Sequence, residues 1–514
     1  VVLLKKITLS ALIMLPIAGF CQKESAILSN GHLSSIVQSN GSLFAGKTGN
    51  PVNFLGDKNT ANFMRYSSSW MSGVVGDTIY ANKNCNWDKQ QLWPGPIDTV
   101  TNLPKNAVEW SKVWRISRTD VEFHRAHFEF QGYQVSEFIS NWPAKHNDNN
   151  ISPYMAPYID WNLNGVYDPE NGDYPSFEGD YACYFIANDL FGENIFPQAN
   201  KLGVEIQGLV YAYDRKDLEN TIFVKLFLIN RSNNDYAPFY FGQYVDYQLG
   251  NRLDNRIETD VNRNMVFGFN GDAFDEDGFG KTLPAAATVF LNNTMHNSVG
   301  FVDGDTARTL PSNEKEMLNV MQGLWPNGNP KYGKGSGLTG STAEITNFIY
   351  PNSTDPRLNQ PWVDGNSGDT AGHRHGLGVI RYNFFKSKTF KRIDFAFVTA
   401  RDESDVKSKL KDDVDNVFSF YKETLTSDVL ISNRKLGVYP NPFILGRDNV
   451  IYLTAETVEL IDSRGRRIAD LQRVDNSENK FTIPCSEKVT SGVYYLKAVK
   501  SNNLSISKVI LINN

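Results

Sequence analysis

Three runs in the middle of the chain constrain the fold most: VEIQGLVYAY (204–213), TIFVKLFLIN (221–230) and YAPFYFGQYVDY (236–247). They are short, rich in β-branched and aromatic residues, and separated by polar connectors such as DRKDLEN. Such runs fit a pleated, packed surface better than a helix face. They predict an antiparallel meander with one buried face, as in a sandwich. A second strand pair is expected at 376–385 and 391–400. The fold class is mainly β: a body of one or two β-sandwiches with long loops and a few helices. The aromatic share of 12% agrees with this.

Two helices stand out. SRTDVEFHRAHF has capping-box spacing at Thr119 and Glu122. In ESDVKSKLKDDVDNVFSFY, the residues Val406, Leu410, Val414, Val417, Phe418 and Tyr421 fall at helical spacing, with Ser404 as the expected cap. Residues 327–368 are poor in apolar residues and rich in Gly, Asn, Ser and Pro, which marks a long loop system.

The first residues, VVLLKKITLSALIMLPIAGFCQKE, have a secretory pattern: a Lys5-Lys6 n-region, an apolar stretch 7–20, and small residues at Gly19 and Cys21. Residues 1–21 are read as a signal peptide. Cys21 is also where a lipid anchor would attach, but bulky Phe20 disfavours that signal. Beyond it no segment has 18 consecutive apolar residues, so no membrane span is expected. The formal charge is −6 and no basic face is evident, which excludes nucleic acid as a partner. Three cysteines follow the leader, Cys85, Cys183 and Cys485, too few for a disulfide framework. A Cys85–Cys183 bridge and buried free thiols both remain open. The body is taken as 22–430, with a candidate split near 195–203.

The loop DWNLNGVYDPENGDYP (160–175) concentrates four acidic groups and three asparagines. Aligned to a D-x-N-x-N-G calcium loop, Asp160, Asn162 and Asn164 take positions 1, 3 and 5, Gly165 the sharp turn, Val166 its carbonyl, and Asp168 position 9. Asn171 replaces the bidentate Glu at position 12, so Glu170 or Asp173 would substitute. A metal-free Asx-turn loop is the alternative. Calcium is the expected cofactor, with an affinity of about 10⁻⁴–10⁻³ M as in extracellular modules. A second, weaker metal is read at Asp272, Asp275 and Asp277, within a diffuse acidic group that includes Asp246, Asp254 and Asp260.

His124/His127 and His373/His375 are spaced so that a transition metal could use them, since imidazole suits zinc and copper. The simpler reading of the first pair is a helix face. No H-E-x-x-H, G-x-S-x-G or P-loop occurs, and no catalytic residue is assigned. Trp70, Trp87, Trp93, Trp142, Trp161, Trp325 and Trp362 lie mostly in loop-like contexts, where a ring stacks on a sugar or covers a loop.

The last residues carry four motifs in order: Tyr439-Pro440-Asn441-Pro442, a hydrophobic strand running to Gly465, Gly492-Val493-Tyr494, and Lys508-Val509-Ile510. Residues 436–514 thereby resemble the type A C-terminal sorting domain of the type IX secretion system of Bacteroidota, a small β-sandwich. The chain ends on Asn514, where family members commonly end on a basic residue. The resemblance implies the type IX machinery as partner and a location outside the cell or on the outer surface of the outer membrane. The body looks like uncharacterised large surface proteins that carry this tail. Asp-Thr-aliphatic triplets at Thr78, Thr99, Thr306 and Thr370 look like Bacteroidota O-glycosylation sequons. The expected function is a calcium-stabilised binding or adhesion protein whose ligand is a surface or extracellular glycan. The alternative is a secreted hydrolase acting on glycans or peptides.

Overall fold

The computed structural model describes residues 24–44, 53–54, 62–84, 91–144, 150–151, 155–162, 164–192, 196 and 199–434 of the body and its trailing helix. In the tail it describes 443–445, 451–452, 457–462, 467–474, 480–483, 492–500 and 503–513. The leader, Cys85, Trp87, Cys485, Tyr439 to Pro442 and Gly465 lie outside the described residues. The chain forms two compact units, 1–417 and 418–514.

The first unit is mainly β, with two large antiparallel sheets. One runs Asn255–Asp260, Met265–Asn270, Leu283–Phe290, Phe390–Asp402, Thr221–Asn230, Val204–Ala212, Tyr181–Asn188 and Trp93–Pro94; Trp114–Ser117 also pairs with Tyr181–Asn188. The other runs Asn297–Val302, Arg374–Tyr382, Phe239–Tyr247, Met64–Val75 and Thr78–Asn82. Val224, Leu226, Phe395 and Phe397 of the first and Phe241, Val245, Leu377 and Val379 of the second belong to one continuous core. That layering is how two sheets hide their apolar faces.

The expected meander is only half formed. Val204–Ala212 and Thr221–Asn230 pair directly. Phe239–Tyr247 instead crosses to the opposite sheet, between Met64–Val75 and Arg374–Tyr382. The later pair splits in the same way: Arg374–Tyr382 lies in one sheet and Phe390–Asp402 in the other. Nor is one face exposed throughout. Val204–Ala212 and Phe239–Tyr247 are buried along their whole length. The helix Glu314–Met321 packs on Phe239–Tyr247. On the other sheet the Trp142 ring lies 5.4 Å from that of Tyr184, whose hydroxyl donates to the Met155 carbonyl. Loops thus cover the outer faces, and polar residues are not needed there.

Both helices start elsewhere than the sequence suggested. Ser117 and Asp120 form the capping box of Arg118–His127, two residues before the Thr119 register. The Asp405 side chain accepts the Ser408 N–H at the start of Val406–Arg434, while Ser404 turns back to Asp402. A charged cap outcompetes the serine. Val406, Leu410, Val414 and Val417 are buried as the periodicity requires. The 327–368 region packs onto the main core: Trp325, just before it, and Trp362 are buried there, and their indole N–H groups donate to the Gly337 and Gly335 carbonyls.

In the second unit the described strands form a five-stranded and a three-stranded sheet. They enclose Val458, Leu460, Phe481, Tyr494 and Leu496. Gly492–Lys500 is the central hairpin partner of Asn503–Asn513, with Tyr495 opposite Lys508.

Gly208 shows how tightly the body is packed. A Cβ there would lie 2.2 Å from the Phe185 ring. Gly208→Ala is expected to lower unfolding stability by about 1–3 kcal/mol, the usual cost of overpacking a core; chemical denaturation of both proteins measures it, and an unchanged midpoint would contradict this packing.

Candidate functional site

The oxygen-rich loop folds inward on itself. Asp160 Oδ1 and Oδ2 accept the Asn164 and Gly165 N–H groups at 3.1 and 2.9 Å. Gly165 has φ +75°, the left-handed turn that the motif demands. Asn162 and Asn164 donate their amides to the two oxygens of Asp168 at 2.9 and 2.8 Å, and Asn171 donates to Oδ2 at 2.8 Å. Half-turns of the Asn162 and Asn164 amides would aim their carbonyl oxygens at the same place, at the cost of the hydrogen bonds those oxygens accept from the Asn164 and Val166 N–H groups. Burial pushes the Asp168 carboxyl up, but the three amides outweigh it and hold it below its ordinary value. Asn164 Oδ1 accepts the Val166 N–H at 2.7 Å.

Asp173 has a different task. It is fully buried, and its oxygens accept the Trp161 and Asp168 N–H groups at 2.7 and 3.0 Å, clamping both ends of the loop. Burial pushes this carboxyl above its ordinary value, and the Asp168 and Asp160 charges add to that. Buried His124 then joins the loop to the helix Arg118–His127. Its Nε2 lies 3.0 Å from the Asp173 carbonyl and its Nδ1 3.1 Å from the Tyr133 hydroxyl. His127 turns to the Phe123 carbonyl, so this pair does not converge.

Trp161, between Asp160 and Asn162, is 52% exposed. With Glu122, Arg125, Phe128 and Gly172 it lines a cleft of about 260 Å³. Gly172 sits at φ +103°, and a Cβ there would strike both Trp161 and Phe128. The Arg125 guanidinium lies 5.1 Å over the Tyr174 ring. The other described tryptophans differ: Trp70, Trp142, Trp325 and Trp362 are buried, and Trp93, Trp110 and Trp114 are partly so. Their loop-like sequence context hid structural roles.

The second acidic group does not form one centre. Asp275 is buried, and its oxygens accept the Asn251 and Phe279 N–H groups at 2.7 Å each. Asp272 caps a turn at the Phe274 N–H, and Asp277 is exposed. The Asp254 side chain is buried with neither carboxylate oxygen accepting a hydrogen bond, while its backbone N–H and carbonyl pair with Asn251 and Gly271. Cys183 is a free buried thiol, its pKa pushed up to about 12 by burial. Thr78, Thr99, Thr306 and Thr370 are all exposed.

A further cluster forms at one end of the five-stranded sheet. Asp246 lies directly opposite His375, at a bulge between Asp246 and Tyr247. A bulge re-aims side chains at strand ends. His373 and His375 share a face, their ring centroids 4.3 Å apart. Ligand atoms of Asp246, His373 and His375 all lie within 4.8 Å of one another. His373 Nε2 is 2.6 Å from Asp246 Oδ1, and His375 Nδ1 is 3.7 Å from the same oxygen. Asp303, just beyond the strand Asn297–Val302, reaches both rings: Oδ2 to His373 Nδ1 at 2.6 Å and Oδ1 to His375 Nε2 at 3.0 Å. The Tyr244 hydroxyl lies 2.8 Å from His375 Nδ1. Burial opposes charge on His373, but Asp246 and Asp303 outweigh it and raise its pKa. Asp303 is held well below the usual carboxylate range, first by His375. A cavity of about 330 Å³ lined by Arg252, Asp303, Asp369, Thr370, His373 and Arg374 opens beside the cluster. The extended spacing of the two histidines was visible in the sequence; their meeting with Asp246 and Asp303 was not.

Residues 437–513 match the family model for the secretion system C-terminal sorting domain. The tail is a type IX sorting domain. This sorting tail directs the protein to secretion or the cell surface. Among the described residues no helix is long and apolar enough to cross a membrane. No curated protein matches the chain. A solved polysaccharide lyase aligns over 95% of this chain and 46% of its own length, at 7% identity and a TM-score of 0.28. That score is too low to carry an argument about the body.

Burial pushes the Asp254 carboxyl up to about 7, with the Asp272, Asp275 and Glu276 charges adding to it. An unfolded Asp titrates near 3.9. The folded protein therefore holds this proton more tightly, and the stability it brings is present below about pH 4 and lost as pH rises through about 7. Asp254→Asn is expected to raise the melting temperature at pH 8 and leave it nearly unchanged at pH 4, by scanning calorimetry; an equal shift at both would contradict this.

Proposed function

We propose that the protein is a calcium-stabilised, non-catalytic binding or adhesion protein displayed at the outer surface of the outer membrane, and that its ligand is a surface or extracellular glycan. The observation that carries this reading is Trp161. It is an exposed indole set between two residues of the calcium-type loop, beside Glu122 and Arg125. A flat aromatic face stacks on the apolar face of a sugar, and charged groups at its rim hydrogen-bond the hydroxyls. Calcium at Asp160, Asn162, Asn164, the Val166 carbonyl and Asp168 would neutralise the loop and hold Trp161 in place, with Asp173 as the clamp. The hydrolase alternative is favoured by one observation, the imidazole–carboxylate–phenol cluster beside the larger cavity.

A glycan-binding screen on the full mature chain in millimolar calcium tests the reading. Capture is expected to fall about tenfold or more in Trp161→Ala, with the melting temperature preserved. Chelator should weaken capture and lower the melting temperature of the parent protein, and Asp160→Ala should abolish both effects. Capture indifferent to Trp161 and to chelator would refute the proposal.

The sorting tail generates a separate expectation. Deleting residues 436–514 should leave the body in the periplasm on cell fractionation, and normal export of the truncated chain would contradict the assignment.

A further inference from the structure

The cluster at the end of the five-stranded sheet has the layout of a metal centre, on residues separate from the Trp161 cleft and its loop. We infer that Asp246, His373 and His375 bind a divalent transition-metal ion of the zinc class, with Asp303 positioning both imidazoles.

The case rests on which ring nitrogen faces which partner. A histidine ligand presents one nitrogen to the metal and donates the other N–H, most often to a carboxylate. Here one carboxylate serves two rings. Asp303 takes His373 Nδ1 at 2.6 Å and His375 Nε2 at 3.0 Å. Those contacts fix the N–H on these two atoms, because a carboxylate only accepts. The remaining nitrogens, His373 Nε2 and His375 Nδ1, both face Asp246 Oδ1. Three donor atoms of the types that transition metals prefer thus converge from two adjacent strands and the residue that leads into one of them.

The spacing fits with little adjustment. Ligands about 2.1 Å from a tetrahedral ion stand about 3.4 Å apart. Asp246 Oδ1 to His375 Nδ1 is already 3.7 Å, while the 2.6 Å contact to His373 Nε2 is a hydrogen bond that would open by under about 1 Å. In the absence of a metal a proton fills that contact, making His373 an imidazolium between two carboxylates. A divalent ion takes the proton's place. The Tyr244 phenol, stacked on Trp70 at 4.8 Å, donates to His375 Nδ1 meanwhile and is the competitor the ion displaces. Two imidazoles and a carboxylate favour zinc, iron(II) or nickel over calcium and magnesium, whose preferred ligands are all oxygen. His373 and Asp303 also line the 330 Å³ cavity, so a fourth coordination position would face an accessible space.

The test is calorimetric titration of the full chain with zinc chloride in millimolar calcium, which saturates oxygen-only sites. A parallel cobalt titration is followed by visible absorbance. One saturable equivalent with tetrahedral cobalt bands is expected. His375→Ala should abolish it. Asp303→Asn should weaken it about 10- to 100-fold, since an amide accepts from only one of the two rings. The Asp303 side chain is 65% exposed, so that variant keeps the test valid if His375→Ala fails to fold. Tyr244→Phe, which removes the competing donor, should bind no more weakly than the parent. Absence of zinc binding in the parent, or binding unchanged in folded Asp303→Asn, would overturn the assignment.

Discussion

The apolar contact between the two large sheets is the constraint on which everything else in the body depends. Phe241 and Val245 of one sheet and Val224, Leu226, Phe395 and Phe397 of the other belong to one core, with the Phe241 and Phe395 ring centroids 6.5 Å apart. Each buried aromatic or aliphatic side chain contributes about 1.5–3 kcal/mol against the entropy of ordering the chain. Because the strands cross between sheets instead of running as a simple meander, residues distant in sequence become neighbours at the sheet ends. Asp246 and His375, 129 positions apart, face each other only because Phe239–Tyr247 and Arg374–Tyr382 pair.

At those ends the chain must dispose of polar groups that the core cannot hold. It does so with acids used in two ways. Asp173 and Asp275 spend both oxygens on backbone N–H groups and act as braces. Asp160 does the same within its own turn, whereas Asp168, Asp246 and Asp303 are turned toward side chains, amides for the first and imidazoles for the other two. Burial and neighbouring charge set them apart: Asp173 and Asp254 are pushed up, Asp168 and Asp303 held down. The oxygen-dense loop suits a hard ion, and the imidazole cluster a softer one.

Local chemistry was legible in the sequence, and long-range pairing was not. The β content, the long amphipathic helix and the sorting tail follow from short-range patterns, and the structure contains them. The sharp turn at Gly165 could be placed because its spacing is local. The sheet assignment of 236–247 failed because hydrophobic runs do not say which strand they pair with. Of the two uses read for the tryptophans, covering a loop holds for Trp325 and Trp362, which pack into the main core, and Gly/Pro/Asn-rich context alone did not say which use applied to Trp161. Capping was read two residues late, since Ser117 and Thr119 offer the same chemistry. The His373–His375 spacing was visible, but its carboxylate partners come from positions 246 and 303.

The two proposed cation sites differ in chemistry and lie on one body. The most direct measurement is diffraction from crystals of the full chain grown with calcium and zinc, with anomalous maps collected on both sides of the zinc edge. Two-site binding predicts a zinc peak about 2.0–2.2 Å from Asp246 Oδ1, His373 Nε2 and His375 Nδ1. It predicts density without zinc signal inside the turn from Asp160 to Asp168. Zinc found elsewhere with that cluster still hydrogen-bonded to itself, and no ion in the turn, would contradict it.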